Sequence, residues 1–260
     1  MTTYAWLPDG IELVSETSQA DWIVSRLSRR DAWTVATFMP DAFEAYARVL
    51  HPAGDRFVDD VSREDEDPTR RGMTWSEVAQ RLGTNFHPTA QFRDIVGGDD
   101  VHVHPALGDI QPMAGSLSRR LLVTLVSFLH RWTHPDDPCW FAMWDGNGTW
   151  WKGAHGGRDP DPHDDERDAV LKTAARVEAP FRRYFLMRGA LDAVVPLFRA
   201  AGAQSPALWW PQGREWLVST EVDAYSTYVG GPGRMVDELL ASADVEAVRI
   251  GLDAAYDWGV

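Results

Sequence analysis

The sequence is poor in cysteine, the residue on which disulfide scaffolds and many zinc sites depend. Among 260 residues cysteine occurs once, as Cys139, so an intramolecular disulfide and a zinc site made of cysteine ligands are both excluded. Cys139 begins an apolar run, whereas a nucleophilic thiol needs a lowered pKa and a neighbouring base. We therefore interpret Cys139 as a buried packing residue and expect a reducing, cytoplasmic location.

Positive charge is also scarce. Lysine occurs only as Lys152 and Lys172, and 25 Lys and Arg residues face 39 Asp and Glu residues, which gives a formal net charge of -14. Such a negative field repels nucleic-acid phosphates and anionic lipid surfaces, because their binding depends on clustered cations. The charge argues against a nucleic acid as partner and favours a basic protein or a neutral small molecule.

Long apolar runs and familiar catalytic motifs are absent as well. No run approaches the roughly 20 apolar residues that cross a bilayer, and the amino terminus lacks the pattern of a secretory signal. We therefore expect no membrane partner. The sequence contains no HExxH, GxSxG, Walker or GxGxxG motif, so it indicates no cofactor.

The composition is typical of a chain that folds, and the sequence contains both helical and strand patterns. Apolar residues make up 44% and charged residues 25%, as in ordinary globular chains. Residues 117–132 carry leucines and aromatics at spacings of three and four, which predicts a central helix. Residues 139–151 and 207–225 are tryptophan-rich runs with a turn signal inside each, which predicts two β-hairpins.

These patterns predict an α+β fold. We expect a mainly antiparallel sheet, built from the two hairpins and covered by helices, in a single domain over residues 1–260. The charged stretch near residues 55–72 is the candidate linker for a sub-division. The pattern also predicts a strand over residues 33–39, a helix over 41–50, and a helix behind a capping box formed by Thr74 and Glu77.

Thirteen tryptophans are a high number for this length, and Trp209 and Trp210 form one of the adjacent pairs. Successive residues of a strand point to opposite faces, so one indole can lie in the core while the other is exposed or covered by a helix. We interpret the tryptophans mainly as packing residues. Trp209 and Trp210 are at the same time candidate binding residues, as an aromatic platform for a ligand.

Glu221 and Asp223 are the candidate catalytic residues. In a strand over residues 215–225 both side chains project from one face, about 6 to 7 Å apart along the strand. That spacing is near the separation of the two carboxylates in inverting glycosidases. Two acids on a solvated sheet face give the same sequence pattern, so both interpretations stay open.

His102 and His104 are candidate metal ligands. On an extended segment both side chains face one way, and acids such as Asp99 or Asp109 can complete a site. The alternative is that they are ordinary loop histidines and that no metal binds.

A glycine-rich run over residues 229–233 precedes a predicted helix. Free backbone N–H groups at a helix N-terminus attract anions, although a turn with a helix cap explains the same run. Tyr228 and Arg234, which stand on either side of the glycines, are further candidate binding residues.

Four segments of the chain carry a resemblance, namely residues 43–52 (FEAYARVLHP), 75–79 (WSEVA), 139–146 (CWFAMWDG) and the stretch from Trp209-Trp210-Pro211 through residues 221–223 to 226–231. Together they resemble a family of uncharacterised actinobacterial proteins over most of the chain. That resemblance implies class and origin, but no activity, cofactor or catalytic residue. The carboxy-terminal order of tryptophan-bearing strand, acidic strand, glycine turn and helix is similar to the SUKH superfamily. This likeness implies an acidic α+β protein that binds toxins or other partners.

The function expected from the sequence is that of a non-catalytic, acidic binding or immunity-type protein. The alternative is a hydrolase that acts on a glycan or other neutral small ligand, with Glu221 and Asp223 as acid and base and Trp209 or Trp210 as platform. The hydrolase requires these groups to converge in a concave pocket, whereas the binding protein requires an exposed acidic surface.

Overall fold

The protein folds around one large antiparallel sheet. In this computed structural model the described residues are 3–28, 33–54, 72–98, 103–151 and 161–256. The strands are β1 (Glu12–Leu13), β2 (Ala45–Leu50), β3 (Val103–His104), β4 (Gly108–Asp109), β5 (Cys139–Trp144), β6 (Val177–Glu178), β7 (Arg183–Gly189), β8 (Leu208–Pro211), β9 (Leu217–Ser219), β10 (Ser226–Gly231) and β11 (Ala247–Arg249). The α-helices are α1 (Asp21–Val24), α2 (Trp75–Leu82), α3 (Phe92–Val96), α4 (Arg119–Leu129), α5 (Asp164–Thr173), α6 (Val194–Ala200) and α7 (Gly233–Leu240).

Nine strands form the main sheet in the order β1-β7-β5-β8-β9-β10-β2-β11, and β6 also pairs with β7. Every pairing in it is antiparallel. Strands β3 and β4 form a separate two-stranded ladder. The fold is therefore α+β with an antiparallel sheet, as the sequence predicts.

The sheet carries an apolar cluster on each face, and strand β5 is apolar without interruption. In β5, Phe141 and Met143 point into one apolar cluster, while Trp140 and Ala142 point into the other. Helices α4, α6 and α7 cover the first face. Helix α1 and a short 3-10 turn, Val35–Thr37, pack on the second face.

A smaller apolar cluster surrounds helices α2 and α3, with Trp75 and Phe92 at its centre. Helix α2 begins as predicted, since the Thr74 side chain accepts from the Glu77 backbone N–H and the Glu77 carboxylate accepts from the Thr74 backbone N–H. It ends at Gly83, whose φ of 68° is left-handed and therefore favours glycine.

Other predicted elements are correct in kind. The helix predicted over residues 117–132 is α4 followed by a 3-10 turn, and the start of the tryptophan-rich run 139–151 is the strand β5. The second hairpin is formed by β8 and β9. Pro196 lies in the first turn of α6, where the missing N–H of proline breaks no helical hydrogen bond.

Three predicted elements are wrong. Residues 41–50 contain the strand β2 instead of a helix, because all six of its residues are buried between β10 and β11. A short buried run has the same apolar pattern in either structure. Residues 33–39 contain the 3-10 turn Val35–Thr37 instead of a strand. The first hairpin does not form, because residues 148–150 are a second 3-10 turn and β5 pairs with β7 and β8.

The candidate linker falls mainly on residues 55–71, which lie outside the described residues. The single-domain organisation stays a prediction. Within the described part of the chain, none of the helices has the length and apolar character needed to span a bilayer.

Candidate functional site

The two candidate catalytic carboxylates meet on one arginine. The strand β9 ends at Ser219, so Glu221 and Asp223 lie in the turn before β10 and not on the strand face on which the sequence analysis places them. Arg182 Nε donates to Glu221 Oε1 at 2.6 Å, and Arg182 Nη2 donates to Asp223 Oδ2 at 2.8 Å. The second Glu221 oxygen accepts from the Asp223 backbone N–H at 2.7 Å. Both oxygens of Glu221 are thus engaged within the protein.

The environment of Glu221 shifts its proton affinity. Its side chain is 1% exposed, and this burial raises the pKa of Glu221, although the Asp223 N–H and the Arg182 guanidinium act in the opposite direction. Glu16 is the reverse case: hydrogen bonds from the Ser18 backbone and side chain lower the pKa of its fully exposed carboxyl group. The two glutamates therefore sit in opposite electrostatic environments.

We expect Glu221 to titrate at a higher pH than Glu16. Since the pKa of Glu221 is raised on folding, the folded state binds more protons than the unfolded chain between the two pKa values. The contribution of this group to stability therefore declines as the pH rises through its folded pKa. Carboxyl-carbon NMR titration measures both midpoints, with Glu221→Gln and Glu16→Gln used to assign the signals. A Glu221 midpoint at or below that of Glu16 contradicts the expectation.

The candidate aromatic platform is internal. Trp209 and Trp210 are both 0% exposed and point into opposite apolar clusters. Trp209 packs edge-on against Trp216, with ring centroids 5.5 Å apart. Tyr228 is also fully buried and packs against Tyr256 at 5.0 Å. This burial argues against the three side chains as binding residues, because none presents a ring at the surface of the described residues.

Arg234 is exposed on α7, and its guanidinium lies 5.0 Å from the centre of the Trp132 ring. The glycine-rich run ahead of α7 does not leave an open anion site at Gly233. Its backbone N–H donates to the Glu44 carboxylate at 2.8 Å, so one of the chain's own anions occupies that helix N-terminus. This favours the turn and helix cap.

His104 lies in β3, and its Nδ1 accepts a hydrogen bond from the Ala106 backbone N–H at 3.1 Å. His102 and Asp99 fall outside the described residues. In the part of the chain that is described, no group of three or more His, Cys, Asp or Glu side chains is arranged to hold a metal ion.

Cys139 is fully buried. Burial, together with the nearby charges of Asp137, Glu215 and Asp192, raises the pKa of its thiol to about 12. At neutral pH the thiol stays protonated, and the thiolate is the nucleophilic form. The side chain therefore acts as a packing residue, as the sequence predicts.

A cleft of about 490 Å³ opens beside the edge strand β1. We call it the β1 cleft. Its charged and aromatic lining residues are Tyr4, Glu12, Glu16, Trp140 and Arg188. The remaining lining residues are Leu13, Val14, Ser15, Val170, Thr173, Ala174 and Ala175. Helix α5 and the segment after it thus line the cleft together with residues 12–16.

The sheet register places three of these side chains in one row. Trp140 of β5 lies opposite Arg188 of β7, and Arg188 lies opposite Glu12 of β1. The guanidinium of Arg188 is 5.7 Å from the Trp140 ring centre, and its Nη1 is 3.8 Å from Glu12 Oε2. Indole, cation and anion therefore follow one another towards the edge strand β1.

Nothing in the sequence singles out the β1 cleft. Strand β1 has two residues, which are too few for an alternating pattern. Glu12, Val14 and Glu16 do stand two residues apart, but this spacing alone does not indicate a site. The row with Arg188 and Trp140 depends on strand pairings between distant parts of the chain.

A second cavity, of about 250 Å³, lies between the N-termini of α2 and α4. The Glu246 carboxylate lines it and accepts from the backbone N–H groups of Trp75 and Ser76, at 2.5 and 3.0 Å. Because the Glu246 carboxylate already accepts from these donors, they are not free to bind a ligand. The cavity is therefore a weaker candidate site than the β1 cleft. We therefore take the β1 cleft as the candidate functional site.

Comparison with known proteins identifies no relative of this chain. The chain matches no protein-family model, no curated protein and no solved structure at a significant level.

Proposed function

We propose that this chain is a non-catalytic, acidic binding protein of the immunity type, and that its partner is a basic protein held at the β1 cleft. The observation that carries the proposal is the row of Trp140, Arg188 and Glu12, which ends on a carboxylate of β1, an edge strand of the sheet among the described residues. A cationic side chain of a partner is the complement of that carboxylate.

The charges around the cleft support a basic partner. The chain has a net charge of -14, which attracts cationic surfaces over long distances. Glu16 is fully exposed, its lowered pKa keeps it ionised to lower pH, and it forms no ion pair among the described residues. Arg188, the one guanidinium among the described lining residues of the cleft, already faces Glu12 and the Trp140 ring. Tyr4 adds a half-buried ring on which a cation can stack.

The hydrolase alternative has one observation in its favour, the raised pKa of Glu221. Against it, Arg182 bridges Glu221 and Asp223, and Glu221 is almost fully buried. A substrate would have to displace an ion pair before it reached either carboxylate. The proposed platform residues Trp209 and Trp210 are internal. These contacts favour a structural role for the pair and the binding function for the chain.

A cytoplasmic location is part of the same proposal. It rests on the single, buried cysteine, which suits a reducing compartment. The likeness to SUKH immunity proteins and to the actinobacterial family stays a prediction.

Affinity capture from lysate tests the proposed function. We expect mass spectrometry to identify a stoichiometric basic protein that elutes as the salt concentration rises, because screening weakens exposed charge pairs. The double variant Glu12→Gln/Glu16→Gln is expected to lower its affinity about tenfold. A matched control, Asp136→Asn/Glu238→Gln, removes the same charge from exposed positions outside the cleft and should retain the partner.

Two results count against the proposal. Recovery of the protein alone at every salt concentration contradicts the binding function itself. Equal retention of the partner by the cleft variant and the control variant contradicts the assignment of the site to the β1 cleft.

A further inference from the structure

We infer that the β1 edge binds its partner by strand addition: an extended, basic segment of the partner pairs with Leu13 and adds a strand to the sheet. This inference rests on the proposed function and specifies how the β1 cleft would bind. It follows from the register of β1 and from the charges beside it.

The backbone of Leu13 is directed away from the sheet. Val14 N–H donates to Leu186 O at 2.9 Å, so the facing residues Val14 and Leu186 form a hydrogen-bonded pair. Such pairs alternate along an antiparallel ladder with pairs whose backbone groups point away from each other. Leu13 and Met187 are the next pair, so the N–H and C=O groups of Leu13 face the outer edge. No hydrogen bond to these two groups occurs among the described residues.

The space beyond that edge is the β1 cleft. Its volume is about 490 Å³, and it is lined by residues 12–16 together with Val170, Thr173, Ala174 and Ala175. An extended segment has room there to run alongside β1. Its backbone would satisfy the Leu13 donor and acceptor, as peptides do when they bind to exposed sheet edges.

The charges select a basic segment. An added strand brings one of its side chains opposite Glu12, with Cβ atoms about 5 Å apart. The partner's side chain would extend the row of Trp140, Arg188 and Glu12 by one residue. A cationic side chain beside Glu12 continues the alternation of charge in this row. Glu16, two residues beyond Val14, offers a second carboxylate to the same segment. A second copy of this chain is disfavoured as the occupant, because two chains each carry a net charge of -14.

A pair of variants isolates the backbone contribution. Among the backbone hydrogen-bonding groups of β1, Leu13→Pro removes only the N–H that faces outward. Proline is tolerated on an edge strand when its nitrogen faces outward. Leu13→Ala removes the side chain but keeps the N–H, so it controls for lost packing. Circular dichroism of both variants verifies that the sheet is retained.

The probe is a capped peptide of alternating lysine and valine, tested beside a counterpart with every backbone nitrogen methylated, which keeps the charges but cannot pair as a strand. We expect the unmodified peptide to shift the NMR signals of Leu13 and its neighbours. The methylated peptide is expected to bind at least about tenfold more weakly, and Leu13→Pro to weaken binding similarly while Leu13→Ala does not. The methylated peptide keeps the test valid even if Leu13→Pro fails to fold.

Several outcomes overturn strand addition. They are equal binding of the two peptides, equal binding by the two Leu13 variants, NMR shifts centred away from β1, and a β1-dependent dimer in sedimentation. If a basic partner is captured from lysate and Leu13→Pro retains it, strand addition fails while the proposed function stands. If no basic partner is captured at any salt concentration, the proposed function fails, whatever the peptides do.

Discussion

Replacement of Arg48 by methionine is expected to lower the free energy of unfolding by about 3 kcal/mol. Arg48 is 1% exposed in the middle of β2. Its Nε donates to Ser226 Oγ at 2.9 Å, and its Nη1 donates to the carbonyl oxygens of Pro88 and Ala90 at 3.2 and 2.8 Å. Methionine retains the apolar stem but leaves these buried acceptors without their donor. Urea unfolding followed by circular dichroism measures the loss.

Arg131→Met is the control for this variant. The Arg131 side chain is 62% exposed and its Nη2 lies 3.6 Å from Glu238 Oε2, so its removal should change stability by less than about 1 kcal/mol. Arg48→Lys is expected to fall between the two, because lysine keeps the charge but lacks the planar fork that reaches three acceptors. Equal stability of the Arg48→Met and Arg131→Met proteins would show that the buried hydrogen bonds contribute nothing.

Trp209→Ala is expected to destabilise the fold by about 3 to 5 kcal/mol, the usual range for removal of a large core aromatic. The Trp209 side chain is fully buried under the helical layer and packs against Trp216. The cavity left behind can close only if β8 and its neighbours move. Thermal and urea unfolding measure the effect.

Trp33→Ala provides the comparison, because Trp33 is 41% exposed and its removal should cost far less. If Trp209→Ala does not fold, Trp209→Phe gives a measurable intermediate. Its loss is expected to be smaller, since the ring position stays filled and the Nε1–H of Trp209, which has no acceptor among the described residues, is removed. A Trp33 variant as unstable as the Trp209 variant would contradict the internal role of Trp209.

The elements that were predictable from the sequence are those with a complete local signal. Helix α2 carries its capping box and its terminal glycine within ten residues, and β5 is an apolar run bounded by a proline and a turn. The pattern of α4 repeats over several turns, so it is distinct from that of any strand. In these segments, local preference and the final fold agree.

The elements that were not predictable depend on distant partners. Strand β2 contains alanine, arginine and leucine, which favour helices, and its Arg48 is buried only because Ser226 and two remote carbonyl groups accept its hydrogen bonds. Glu221 and Asp223 do come together, but through Arg182, about forty residues earlier in the chain, and not through strand geometry. The β1 cleft likewise exists only after β1, β5 and β7 are assembled.

The position of β2 between β10 and β11 has a consequence for how the chain acquires its structure. Both strands that pair with β2 lie about 180 or more residues further along the chain, so neither hydrogen-bonding edge of β2 is satisfied until those strands are present. Such long-range closure is entropically costly and slows folding. During translation residues 45–50 stay without these strand partners until β10 and β11 have been synthesised, which exposes the nascent protein to chaperones and to aggregation.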